Sequence, residues 1–241
     1  MRPTLSVLAA LLAASACGDD SSSPSNPAAF DPDVPYEPDV TTGALSVDIT
    51  NDLLPMPVGA TWTYQAVSGD GTERIEVSVE SGTTDLASGA TARVVRDTAY
   101  FEDEKIEDTA DWFGQDEAGN VWYLGEDTAE YENGEVTTRE GSWESGMDGA
   151  LPGVVMLGDP QVGTSYRQEF LEGEAEDYAE VVSLDETVEA GGETYTGCLK
   201  TNDLSAIDPD LDESKYYCSG IGTVLVEEPD ATEELISYDI P

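Results

Sequence analysis

From about Asn51 onward the chain alternates between apolar and polar residues, and this period of two constrains its fold more than any other feature. Trp62, Tyr64 and Ala66 share one parity. Ile75, Val77 and Val79 form a second such run, with Arg74, Glu76, Ser78 and Glu80 between and around them. Each run therefore buries one face and wets the other, as half-buried strands do. Hairpin signals separate the runs: Ser68-Gly69-Asp70-Gly71, the stretch 116–120 (DEAGN), and Asn133-Gly134, which is the strongest turn. Further strands are expected over 91–100, 105–113, 121–125, 163–170, 178–184, 194–201, 223–227 and 235–240. Helical periodicity is scarce. So many short strands at this spacing predict an all-β fold, a single antiparallel curved sheet, sandwich or barrel-like domain. The Gly/Pro-rich stretch 141–160 (GSWESGMDGALPGVVMLGDP) breaks the pattern and reads as a long connection, of a length that usually carries function.

Charge removes whole classes of activity. The sequence holds 52 Asp plus Glu against 9 Lys plus Arg, for a net charge of -43. Such a surface repels phosphate backbones, so no nucleic-acid partner is expected. The sequence has no histidine, which removes Ser-His-Asp, Cys-His and His-ligated zinc chemistry together.

The N-terminus supplies an address. Arg2 precedes a short apolar run over 5–16 (LSVLAALLAASA), too short to span a bilayer, which ends in small residues directly before Cys17. This resembles a bacterial lipoprotein signal, in which the cysteine becomes the first residue of the mature chain and is acylated. The resemblance implies that residues 1–16 are a signal peptide and that Cys17 is the lipidation site, with the membrane as a partner through its acyl chains. Each buried methylene contributes about 0.8 kcal/mol, so two or three chains anchor stably. Gly18, rather than Asp, follows the cysteine. By the same resemblance, that favours the outer membrane of a Gram-negative bacterium. Residues 17–50 are rich in Ser, Asp and Pro, with Pro24, Pro27, Pro32, Pro35 and Pro38 opposing any regular ladder, and are expected to form a disordered tether. The β-rich domain then occupies 51–241.

Several blocks resemble a family of secreted, β-rich bacterial proteins without assigned function: LPMPVGATWTY over 54–64, GTERIEV over 71–77, GNVWYLGEDTAEY over 119–131, GSWESG over 141–146, YRQEFLEGEAED over 166–177 and KYYCSGIG over 215–222. The resemblance implies a fold class and an exported location, and no activity.

Cys198 and Cys218 are the cysteines that remain besides Cys17. In an exported domain they are expected to form a disulfide, the other reading being two buried thiols. They lack C-x-x-C spacing, which argues against redox chemistry. The candidate site is carboxylate-based: Glu126, Asp127 and Glu130 after one strand, Glu144 in the long connection, and Glu174, Glu176 and Asp177 near another. If they converge they could bind Ca²⁺, which takes six to eight oxygen ligands, or act as acid and base on a glycosidic bond. Carboxylates are so abundant that a merely solvated acidic surface explains them as well. The acids over 208–213 (DPDLDE) lack the glycine that a calcium loop needs at its sixth position, and read as a loop tip. Trp62, Trp112 and Trp122 lie in strand patterns and read as core. Trp143, beside Glu144 in the Gly-rich stretch, is the candidate ligand aromatic. The expectation is a lipid-anchored cell-envelope lipoprotein, a non-catalytic binding or structural module with a cation, glycan or envelope protein as partner. A calcium-binding protein or glycan-acting hydrolase is the alternative.

Overall fold

The computed structural model describes residues 26–69 and 71–241, and among them the alternating runs become fifteen strands of one antiparallel sheet. β1 (Thr61–Ser68), β2 (Gly71–Asp85), β3 (Thr91–Phe101), β4 (Glu104–Gln115) and β5 (Val121–Glu132) form a first meander. β6 (Glu135–Thr138), β7 (Trp143–Glu144) and β8 (Leu151–Met156) return along β5, followed by the short β9 (Ser165–Arg167) and β10 (Glu169–Phe170). β11 (Asp177–Ala190), β12 (Glu193–Ser205), β13 (Glu213–Cys218), β14 (Gly222–Glu227) and β15 (Ala231–Asp239) form a second meander, and β15 pairs with β1. The sheet thereby curls into a nearly closed barrel. Its outer strands, β10 and β9, are joined by Gln168 alone, so the seam is spanned by the chain itself.

Turn chemistry fixes the registers. Asn133 and Gly134 have φ of 54° and 80°, the left-handed pair that a two-residue hairpin of this twist requires. Glu102 and Asp103 adopt φ of 51° and 64° between β3 and β4 without a glycine to signal it. In the 116–120 turn the Asp116 carboxylate accepts from the amides of Ala118 and Asn120 and, at 2.9 Å, from the Trp122 indole.

The stretch 141–160 is not one open connection, because β7 and β8 form inside it. Gly125 lets β7 approach β5, since a Cβ there would collide with the Trp143 carbonyl, and Gly153 similarly leaves room for the Gln168 backbone.

The cross-strand partners place side chains in rows. One row runs Val79, Val95, Asp111, Glu126, Trp143; the next Trp62, Val77, Asp97, Thr109, Thr128; the third Tyr64, Ile75, Ala99, Glu107, Glu130. Alternation puts all three on the inner face, where Trp62, Tyr64, Val79 and Val95 are buried. Trp62 donates to the Ile221 carbonyl at 2.8 Å and Tyr64 to that of Thr223 at 3.1 Å, so both rings are buried with their polar atoms satisfied. Trp122 is fully buried and Trp112 packs half-buried against the core.

The expectation of a disordered tether reaching residue 50 does not hold over its described part. Residues 26–50 lie on the barrel as a strap. Ala29 bridges to Tyr166 on β9, Phe30 stacks on Tyr178 with ring centroids 3.8 Å apart, and Tyr36 donates to the Pro152 carbonyl on β8 at 2.8 Å. Arg167 lies against the rings of Phe30, Tyr36 and Phe170. Farther on, Thr42 donates to the Ser88 carbonyl and Ile49 is buried. The prolines keep this segment out of the sheet's ladders, and the aromatic anchors Phe30 and Tyr36 dock it. The expected signal peptide 1–16 and Cys17 lie outside the described residues.

Candidate functional site

Four carboxyls on the inner face face one another with little to neutralise them. Asp111 and Glu126 are directly opposed partners on β4 and β5, as are Glu107 and Glu130. Like charges so placed repel. Burial, then the neighbouring Glu126, pushes the Asp111 carboxyl up to about 7. Burial, then Asp111 and Glu233, pushes Asp97 up to about 8. Glu169 rises to about 8 through burial and then Asp177, and Glu233 to about 7 through burial. Burial likewise raises Glu126, Glu107 and Asp177. Tyr123 donates to Asp111 at 2.8 Å, and Thr128 to Glu126 at 2.7 Å.

Across the interior, Lys215 answers part of this charge. Its ammonium sits 3.0 Å from both Asp203 and Glu213. Burial works against its charge, but these two carboxylates hold its pKa well above the ordinary value.

The seven acids singled out from the sequence divide. Glu126, Glu130 and Asp177 belong to the inner face. Asp127 has the opposite parity and pairs with Arg139 outside. Glu176 pairs with Arg167 at 3.4 Å and accepts from the Gly173 amide. Glu144 and Glu174 meet at a pocket of about 380 Å³. Its floor is Trp143, Ala150, Phe170 and Leu171, and its rim carries Glu144, Asp148, Glu172 and Glu174. Two tight turns build it: the Ala150 amide donates to the Met147 carbonyl at 2.7 Å, and the Leu171 amide to Ala175 at 2.6 Å. The Glu144 carboxylate also accepts from the Ala87 amide at 2.6 Å, which holds it in place.

Trp143, the candidate ligand aromatic, lines this pocket but is itself nearly buried. It is only 5% exposed and packs with Ala150 and Ala175 and, edge to face at 5.3 Å, with Tyr123. Its indole Nε1 is buried without a well-formed hydrogen bond and lies against the carboxyls of Glu126 and Glu169, whose charge it favours. Trp143 thus stands as a wall between the pocket and the inner acidic row. Sequence reasoning missed Asp97, Asp111, Glu169 and Glu233. For Asp97 and Asp111 the signal was available, since both take the inner parity of their strands where an apolar residue is expected.

Cys198 and Cys218 are disulfide-bonded, tying β12 to the end of β13. The cluster does not assemble as a calcium site: among the described residues no group of three or more acidic, histidine or cysteine side chains is arranged to hold a metal ion. The inner acids are spread along strands rather than gathered round a point. Asp208, Asp210 and Asp212 lie in the loop between β12 and β13, as expected of a loop tip, whereas Glu213 opens β13 and pairs with Lys215.

No protein-family model matches the chain, and no curated protein does. Among solved structures it is similar to a candidate exported protein with a YmcC-like fold from Bacteroides fragilis, at 12% identity over 79% of this chain and 100% of that one, with a TM-score of 0.45. It is also similar to a candidate lipoprotein from Parabacteroides distasonis, at 10% identity over 78% and 99% of the two chains, with a TM-score of 0.37. Neither name states a ligand or an activity.

Proposed function

We propose that the protein is a lipid-anchored lipoprotein of the outer membrane whose barrel binds a ligand without transforming it, at the pocket walled by Trp143. The observation that carries the binding reading is the pocket: two turns and the Glu144 to Ala87 hydrogen bond hold an apolar floor and a polar rim in place. Its 380 Å³ falls in the range of small-molecule sites, roughly 300–1,000 Å³. A glycosidase needs an acid of raised pKa facing the same cleft as a second carboxylate. Here the raised acids Asp111, Glu126 and Glu169 stand behind Trp143, which favours binding over hydrolysis. The anchor reading rests on the apolar run that ends at Cys17. Wild-type protein is expected to sediment with outer membranes and the Cys17→Ser variant to be released into the soluble fraction; equal sedimentation of the two would remove the anchor.

A further inference from the structure

The pocket at Trp143 also defines what could occupy it. Its floor is apolar, and its rim presents Glu144, Asp148, Glu172 and Glu174 while no basic side chain lines it. Glu172 and Glu174 are exposed at the tip of the 171–175 turn, and no ion pair among the described residues involves any of the four. Behind the floor, the carboxyls of Glu126 and Glu169 lie against Trp143 Nε1, and the negative field of the pocket comes from its rim. A concave site with low-dielectric walls focuses such a field. An anion is repelled. A bare inorganic cation would leave the apolar floor uncovered, and no rim group is arranged to ligate one.

We propose that this pocket takes an organic cation, an ammonium or guanidinium group borne on an apolar stem, with the stem against Phe170 and Leu171 and the charge among the rim carboxylates. Long basic side chains and alkylamines share this design, an apolar stem with a charged head that stays at the polar edge. The proposal rests on the reading of the pocket as a binding site and names its ligand class.

The test titrates the full-length protein with hexylammonium, 1-hexanol and hexanoate at one ionic strength, following heat and tryptophan fluorescence. Hexylammonium is expected to bind saturably and at least tenfold more tightly than hexanol, with no binding of hexanoate. Nα-acetyl-lysine amide forms a further arm: preference for it over hexylammonium points to a protein-borne ammonium, and the reverse to a free amine. Glu172→Gln/Glu174→Gln alters only exposed side chains and is expected to weaken hexylammonium about tenfold while leaving hexanol unchanged. Glu132→Gln/Glu135→Gln removes the same charge from the β5–β6 hairpin and is expected to change neither. If the two double variants weaken hexylammonium equally, the general field of the protein is responsible and the proposal falls. If hexanol binds as tightly as hexylammonium, the pocket binds ligands but the cation class is wrong. If no probe binds, the binding reading fails with it.

Discussion

Asp203 illustrates how single polar residues hold this interior together. It is 1% exposed and accepts hydrogen bonds from Thr201 at 2.6 Å and Gln168 at 2.9 Å, besides its ion pair with Lys215. Gln168 is the residue that joins β9 to β10, so Asp203 fastens the seam of the barrel to β12. Asp203→Ala would strip a partner from a charged amine inside the barrel and leave two donors unanswered. Breaking such a pair costs about 3–5 kcal/mol. Urea unfolding should show a loss of that order, and a loss below about 1 kcal/mol would mean that Lys215 is served by Glu213 alone. None of this was readable from the sequence, because Asp203 and Lys215 meet only through the register of β12 on β13. Trp143 was half legible. The glycine-rich surroundings marked the stretch in which the pocket forms, but the same glycine freedom, at Gly125, is what lets β7 close on β5 and bury the ring.

Among the elements, the strands were legible where the alternation is clean. β3, β4 and β12 start within a residue or so of expectation and run somewhat longer. Strands whose cores alternate poorly were not legible: β7 and β8 contain Trp143-Glu144 and Leu151-Pro152-Gly153, which read as loop by composition. The strap was missed for a related reason, since prolines and serines hide two aromatic anchors, Phe30 and Tyr36, whose partners lie more than a hundred residues away. The disulfide was expected and joins elements already adjacent in the sheet, with a sequence separation of 20 residues. Closing a loop of that size restricts the unfolded chain by about 3 kcal/mol. The Cys198→Ser/Cys218→Ser variant should lower stability by that amount in chemical denaturation. Unchanged stability would mean that the β12–β13 pairing already imposes the restriction in the unfolded chain.

At the scale of the molecule, acidity governs stability. Asp111 and Glu233 titrate near 7 and Asp97 and Glu169 near 8 in the folded protein, against about 4 for exposed carboxyls. Between those limits the folded chain binds more protons than the unfolded one, so stability falls as pH rises. The stabilising contribution is fully present below the unfolded values and is gone above about 8. Asp108 opposes this at low pH: burial raises its pKa, but hydrogen bonds from Lys105 and Arg96 hold it below the ordinary value, and its contribution is lost as it protonates. The melting temperature should therefore be higher near pH 5 than at pH 8, and Asp97→Asn/Asp111→Asn should flatten the slope. A melting temperature that rises steadily from pH 5 to 8 would refute the assignment. At pH 7 added NaCl should raise it too, because the Debye length shrinks from about 10 Å at 0.1 M to about 3 Å at 1 M. The pairing of β1 with β15 has a consequence of another kind, in the order of events during synthesis. A chain emerging from its N-terminus holds β1 without one neighbour until the last strand appears, and Asn26 waits for Ser165 across a separation of 139 residues. Topologies dominated by such distant pairings fold in milliseconds to seconds rather than microseconds. Throughout that interval the unpaired edges of nascent copies could zip together. The charge of -43 that strains the finished barrel is the force that keeps those unfinished copies apart.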